Sequence, residues 1–359
     1  MIISRTPYRI SFFGGGTDYP AWYRRHGGSV LATTIDKYCY LSCRYLPPFF
    51  EHRTRIVYSK IESVQRVEEI GHPAVREVIR FLSLDRGLEI HHDGDLPARS
   101  GMGSSSAFTV GLLNALHALQ GRMASKPQLA KESIHIEQEL LRENVGSQDQ
   151  VLAAYGGLNH VLFLPNGEIS VRPITIPAER MRELGVHLLL LYTGIIRTAS
   201  DVANNYVHAL EARKRQLRIM KDLVDEGISV LTGGQDLTAF GELLHEAWQA
   251  KRSMSSSISN GQVDGLYDEA LAAGAIGGKL IGAGGGGFLL LFVPPERQAA
   301  VRERLSRFIH VPITPEFSGS QIIFYEPEAD YSAEEQARAD RTLQAFRELE
   351  PTATLRVPA

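Results

Sequence analysis

Three glycine clusters limit what this chain can fold into. They occupy residues 14–16, 101–103 and 282–287 of 359, and each adjoins an apolar run. Glycine weakens helices and strands, so such clusters mark places where the backbone turns left-handed or approaches another group closely. The last, Gly282-Ala283-Gly284-Gly285-Gly286-Gly287, satisfies G-x-G-x-x-G. A dinucleotide-binding turn would open a helix there, whereas Phe288 opens an apolar run of strand type, so that reading is excluded. The string at 274–279 is one residue short of the common P-loop pattern and continues with Leu280, which excludes that loop as well.

The middle cluster carries the strongest chemical signal. Leu96-Pro97-Ala98-Arg99-Ser100-Gly101-Met102-Gly103-Ser104-Ser105-Ser106-Ala107 lies between a strand-like run at 88–92 and a run at 107–119 that is apolar nearly all round. Such a run reads as a buried helix, with the serines where an N-cap belongs. Gly101 and Gly103 let backbone N–H groups reach an anion, and the first helical turn offers unpaired donors and the positive end of the helix dipole. The hydroxyls of Ser104, Ser105 and Ser106 suit phosphate oxygens or a hard metal ion.

Around this segment the pattern predicts strands at 2–13, 30–45 and 55–58, helices at 72–84 and 128–142, and more strand from 151 to 164. The texture changes at 173–182, which sets a domain boundary at 178/179. Beyond it come a strand at 186–192, amphipathic helices at 200–226, 237–252 and 262–273, a strand at 288–293, a helix at 296–308, a last strand at 321–325 and an exposed tail helix at 333–349. Strands and helices do not alternate strictly, so the fold class is α+β, in two domains, 1–178 and 179–359.

A net charge of −3 gives no sign of a nucleic-acid or membrane-surface binder. No apolar stretch approaches a membrane span, and the first residues lack a signal-peptide core. The only cysteines, Cys39 and Cys43, share one face of a predicted strand too far apart for a relaxed disulfide. Two free thiols suit a cytoplasmic protein. A homodimer through the tail helix stays open, with a solvated helix as the plainer expectation.

Three motifs in order resemble those of the GHMP kinases, which include galactokinases and the homoserine, mevalonate and phosphomevalonate kinases. Pro97 to Ala107 is similar to the second family motif, with Met102 and Ser106 as departures. Thr6-Pro7-Tyr8-Arg9-Ile10-Ser11-Phe12-Phe13-Gly14-Gly15-Gly16-Thr17-Asp18-Tyr19 resembles the first, and Lys279 to Phe288 the third. The resemblance implies a first domain like domain 2 of ribosomal protein S5, a ferredoxin-like second domain, and ATP and Mg²⁺ as cofactors. It also implies a cofactor-binding turn at 101–106, with Ser105 and Glu137 holding Mg²⁺ and Glu139 as the alternative on the same helix. Asp149 would be the base or electrostatic orienter for the attacked hydroxyl, and Arg9 would pair with it and neutralise charge on the phosphoryl group. Gly16, Thr17, Asp18, Gly157, Gly285 and Gly286 fall on the substrate side, with Asp18 binding sugar hydroxyls.

The Gly-Gly-Gly-Thr-Asp-Tyr string, with Gly146-Ser147-Gln148-Asp149-Gln150, resembles a sugar 1-kinase branch acting on heptose phosphates; the fucokinase-like branch is close, and a non-catalytic sensor is the different-class alternative. The partner is thus a small sugar or sugar phosphate. A phosphorylated substrate needs its own anion site, for which Arg197 with Thr198, Lys251, Arg252 and the serine-rich run at 253–259 are candidates.

Overall fold

One very long strand organises the first half of the molecule. β1 (Ile2–Phe13) and β2 (Gly28–Tyr45) run antiparallel, with Ile2 opposite Cys43 and Phe13 opposite Leu31. The 18 residues of β2 are long enough to serve several partners along the other edge. Its last residues pair with β5 (Leu88–Gly94), and its first six pair with β6 (Leu158–Phe163). β3 (Thr54–Val57) and β4 (Ile61–Val64) extend the sheet beyond β5, and β7 (Ile169–Pro173) extends it beyond β6. The computed structural model describes residues 1–98, 100–195, 210–255, 258–326 and 331–339.

A second sheet, of four described strands, is antiparallel throughout. Its order is β11 (Ile309–Val311), β8 (Leu188–Tyr192), β10 (Phe288–Phe292), β9 (Gly277–Leu280). β10 reads Phe-Leu-Leu-Leu-Phe because every one of its residues is buried.

The end of the chain returns to the first sheet. β12 (Pro315–Glu316) pairs with Thr34 and Ile35, and β13 (Gln321–Tyr325) pairs with residues 2–5 of β1. A contiguous second domain at 179–359 therefore needs correcting: residues 315–325 belong to the first sheet, and the second sheet closes at β11. Strands this short carry no sequence pattern that assigns them to one sheet or the other.

Helices cover both faces of the first sheet. On one side α3 (Ser104–Leu119) packs on β1 and β2 and is flanked by α2 (Pro73–Phe81), α4 (Lys126–His135) and α5 (Gln148–Tyr155). Every α3 residue from 106 to 117 is buried, as its apolar circumference predicts. On the other side lie α7 (Lys214–Thr232) and α8 (Thr238–Arg252), which also meets β9. Phe240 of α8 stands edge-on to Phe12 and Phe13 of β1, at 5.3 and 5.0 Å between centroids, so the two sheets share this packing. α1 (Pro20–His26), α6 (Ala178–His187), α9 (Gly261–Ala272), α10 (Gln298–Arg304) and α11 (Ser332–Ala339) complete the described helices.

Three elements differ from the pattern-based expectation. Residues 151–155 are helix, the second half of α5, because the turn begins at Gln148 and only Val151 among them is β-branched. The helix expected at 128–142 is α4 followed by a π-turn at Ile136–Leu140. α6 occupies the stretch read as a boundary. Residues 200–209 of the expected long helix and 340–349 of the tail lie outside the described residues.

The glycine clusters sit where these parts meet. A Cβ on Gly282, at φ +84, would lie 2.5 Å from the Cα of Gly101. One on Gly287 would lie 2.1 Å from the carbonyl oxygen of Ser100. The second and third clusters thus pack backbone against backbone, which no side chain permits. Gly282→Ala is expected to destabilise the protein by about 2 kcal/mol or more in urea unfolding. Gly265→Ala, in α9 with open space around it, should stabilise by about 0.5–1 kcal/mol.

Candidate active site

Arg9 and Asp149, 140 residues apart, meet in a two-pronged ion pair. Nε and Nη2 of Arg9 donate to Oδ1 and Oδ2 of Asp149, both at 2.7 Å. The remaining guanidinium nitrogen, Nη1, donates to the carbonyl of Gly101 at 2.7 Å. The main chain repeats the link, since the Arg9 amide donates to Met102 O. β1 therefore grips the glycine turn twice, and α5 once. The Arg9 side chain is 6% exposed and that of Asp149 25%, so the carboxylate is the partner that opens outward.

The turn is left-handed at both glycines, with φ +81 at Gly101 and +75 at Gly103. Gly103, not a serine, is the N-cap of α3, and no side chain caps it. The first-turn amides, which include those of Ser104 and Ser105, have no acceptor within the helix, and the turn itself contains no acidic residue. Such an end is an anion site. Met102 points the other way and is fully buried in the core.

Glu137 lies in the π-turn that follows α4 and is completely buried. The extra residue of a π-turn re-aims side chains, and here it turns Glu137 inward while Glu139 stays exposed. Oε2 of Glu137 accepts from Ser106 Oγ at 2.9 Å and from Gln150 Nε2 at 2.5 Å. Ser105, the serine matched by motif, is exposed on the open side of the turn, and it is Ser106 that turns inward and bonds Glu137 directly. The helix explains this: one residue further on turns the side chain by about 100°, from the open side to the interior. Oε1 of Glu137 is buried with no hydrogen-bond partner among the described residues. Burial pushes this carboxyl up to about 7, against the lowering effect of the Ser106 and Gln150 bonds. One orphaned carboxylate oxygen beside a serine hydroxyl fits a hard divalent cation such as Mg²⁺, with Glu137 as the residue that would hold it.

The first glycine cluster shapes the other flank. Asp18 is 1% exposed. It accepts from the Gly16 amide at 2.8 Å, from Gln148 Nε2 at 3.0 Å and from the Gln148 amide at 3.4 Å. Burial pushes its pKa up and the charge of Asp149 adds to this, while the amide bonds act the other way. Asp18 is thus enclosed behind Gln148. Thr17 is buried, and its hydroxyl bonds Gly14 O, Ser29 O and the Ser29 amide. Gly157 donates to Glu316 O and Thr34 Oγ1 and accepts from the Thr34 amide. The Gly16 amide, the Thr17 hydroxyl and the Gly157 backbone are thus engaged within the protein. The Gly285 and Gly287 amides likewise bond Ile258 O and Ile195 O, and a Cβ on Gly286 would meet Ile195 O at 2.4 Å.

Two lysines complete the cluster. Lys251, at the end of α8, is buried and donates from Nζ to Gly282 O. Burial pushes its pKa down to about 8, Arg9 adds to this, and Asp18 and Asp149 oppose it. Arg252 instead pairs with Asp264 at 3.5 Å, Arg197 lies outside the described residues, and so do residues 256–257. Lys279, which pattern reading passed over, is also buried and donates to Phe12 O at 2.8 Å. Burial holds its pKa well below the usual range, with Lys251 and Arg9 adding to the effect. Gln148, Gln150 and Ser11 were likewise missed; their signal is adjacency, since they neighbour Asp149 and Arg9 in the chain.

Three carboxylates, three cationic side chains and an uncapped helix N-terminus suit the transfer of a phosphoryl group to a hydroxyl. The chain belongs to the GHMP kinase family: the model of the GHMP kinases N terminal domain matches residues 67–157, and that of the C terminal residues 220–311. It is a phosphotransferase of the alcohol-acceptor kind. Its relatives include a D-glycero-alpha-D-manno-heptose 7-phosphate kinase of Campylobacter jejuni, 29% identical over 83% of this chain and 91% of that protein. The bifunctional fucokinase/GDP-fucose pyrophosphorylase of Arabidopsis thaliana is 26% identical over 83% of this chain but only 30% of that longer protein. The crystal structure of a D-glycero-D-manno-heptose 1-phosphate kinase from Bacteroides thetaiotaomicron shares the fold, with a TM-score of 0.75 at 24% identity over 91% of this chain and all of that one. No helix among the described residues is long and apolar enough to cross a membrane.

Glu137 generates a pH prediction. A carboxyl whose folded pKa is raised contributes stability below its unfolded value, and that contribution is lost as pH rises through the folded pKa. Without divalent cation, the loss between pH 4.5 and 8 amounts to at most about 3 kcal/mol for a pKa near 7. Glu137→Gln should therefore melt above the wild type at pH 8, with the difference shrinking toward pH 5. Added Mg²⁺ should raise the melting temperature of the wild type and leave that of the variant unchanged.

Proposed function

We propose that this kinase transfers the γ-phosphoryl group of ATP to the C1 hydroxyl of a sugar, with D-glycero-D-manno-heptose 7-phosphate as the acceptor. The Arg9–Asp149 pair beside the uncapped start of α3 is the observation that carries the transfer. The heptose assignment rests on the Campylobacter jejuni relative and on a site with cations to spare for a phosphorylated acceptor.

In the reaction the acceptor oxygen forms a bond to the γ-phosphorus as the bond to the bridging oxygen of ADP breaks. Asp149 orients the attacking hydroxyl and receives or relays its proton. Arg9 and the first-turn amides of α3 oppose the charge on the moving phosphoryl group. Glu137, with Ser105 or Ser106 beside it, would hold Mg²⁺, which would neutralise charge on the nucleotide phosphates when bound. Lys251 balances the phosphate that the acceptor already carries. The enzyme would work in the cytoplasm, where ATP and sugar phosphates occur.

Two measurements test this. ADP release would be followed with ATP and Mg²⁺ across heptose 7-phosphate, free heptose, fucose, galactose, mannose, mevalonate and homoserine. Turnover is expected to be highest with heptose 7-phosphate and to fall about 10²–10⁴-fold in Asp149→Asn, with ATP affinity retained. Preference for an unphosphorylated sugar would overturn the acceptor assignment, and binding of ATP and sugar without turnover would favour a sensor. Lys251→Met should raise KM for the phosphorylated acceptor about tenfold and leave that for an unphosphorylated sugar nearly unchanged. Wild-type affinity for the phosphorylated acceptor should weaken as pH rises through about 8, since Lys251 loses its charge there. Equal KM values for wild type and Lys251→Met would remove Lys251 from the phosphate site.

A further inference from the structure

Around Glu137 the fold gathers oxygen acceptors and brings no cation to them. The Gln150 NH₂ donates to Glu137 Oε2, so its own amide oxygen turns away from that carboxylate, and this buried oxygen has no hydrogen-bond partner among the described residues. Glu137 Oε1 is in the same state. The Thr109 hydroxyl is near enough to lower the Glu137 pKa, but it donates to Ser105 O at 3.2 Å. Glu143 is the third acceptor group. It is half-buried, and its carboxylate forms no hydrogen bond or ion pair among the described residues.

The backbone brings Glu143 back to Glu137. After the π-turn the chain reverses at Arg142, a non-glycine residue at φ +55, and the Glu143 amide donates to Glu137 O at 2.9 Å. Gln138 Nε2 ties the returning segment down at Val145 O and Ser147 Oγ, at 3.1 and 3.0 Å. The two side chains feel each other, since the charge of Glu143 raises the Glu137 pKa as a like charge does. Neither carboxylate forms an ion pair among the described residues, and two neighbouring carboxylates without a counter-charge are costly. Acceptors in excess, with no donor to match them, are the complement of a hard cation and not of an anion.

We infer that Glu143 is a second carboxylate of the Mg²⁺ site, facing the ion that Glu137 would hold from the solvent-reaching side of the loop. This rests on the reading of Glu137 as the residue that holds Mg²⁺ and deepens it. Mg²⁺ sites use one or two carboxylates and leave the other positions to water and phosphate oxygens. Of the three acceptor groups only the Glu143 carboxylate is not sealed from solvent, so it stands where an ion can arrive. The left-handed Arg142 is the backbone feature that puts it there.

Mn²⁺, as a spectroscopic stand-in for Mg²⁺, would be titrated into metal-free wild type, Glu143→Gln, Glu143→Asp and Glu137→Gln, with and without ADP, and melting curves would be recorded with and without Mg²⁺. The expected result is about tenfold weaker Mn²⁺ binding in Glu143→Gln, with ADP affinity in the absence of metal unchanged. Glu143→Asp keeps the charge and should retain most of the affinity. Metal-free Glu143→Gln should melt above the wild type, because a like charge is gone, and Mg²⁺ should raise its melting temperature less. A purely structural role would shift the melting temperature equally with and without Mg²⁺ and leave Mn²⁺ affinity unchanged. Unchanged affinity in Glu143→Gln with loss in Glu137→Gln would overturn the role of Glu143 and leave the Glu137 site standing. Unchanged affinity in both variants, or no Mn²⁺ binding to the wild type in either condition, would overturn both.

Discussion

The arrangement depends on one ion pair, buried at its arginine end and open at its carboxylate. Taking the Arg9 guanidinium and the Asp149 carboxylate out of water is costly unless nearly every donor and acceptor is matched. Two parallel bonds to Asp149 and a third to Gly101 O engage all three nitrogens of the planar arginine fork, a geometry lysine could not reproduce. The pair also fixes positions. It holds the edge of β1, the first turn of α5 and the left-handed turn before α3 in one geometry, so the groups that meet the reactants are placed before either arrives.

The helix α5 spreads this order sideways. Three consecutive residues at its start, Gln148, Asp149 and Gln150, point about 100° apart and reach Asp18, Arg9 and Glu137 respectively. One side of the ion pair is acidic and suited to a cation; the other is a neutral amide and hydroxyl. Lys251 and Lys279 arrive from the second half of the chain, each tied to a backbone carbonyl, on Gly282 and on Phe12. The glycine clusters let those halves approach, since Gly282 rests on Gly101 without room for a methyl group.

Much of this was legible in the sequence, and what was hidden has physical reasons. Local composition marked the glycine turn at 101–103, though the N-cap is Gly103 and not one of the serines, and the three motifs in order pointed to Arg9, Asp149 and Glu137. Periodicity found the buried α3 because its apolar circumference admits no other placement. It misread residues 151–155, where a short apolar run suits strand and helix alike. The π-turn was invisible because one extra residue leaves the composition unchanged, yet it decides that Glu137 and not Glu139 turns inward. Nothing local shows that Gln148 bonds Asp18 or that the Ser29 amide bonds Thr17, because those partners lie elsewhere in the chain. Lys251 looked equally fit for a solvated helix end, and only the approach of Gly282 buries it.

The claim that Arg9 and Asp149 act as one unit is tested most directly by a double-mutant cycle on kcat/KM. The four proteins are the wild type, Arg9→Met, Asp149→Asn and the double variant. If the pair is a unit, the double variant loses about as much as the worse single one, because each substitution already dismantles the geometry. If the two losses multiply, the residues act independently, and the pair is not the constraint on which the site depends.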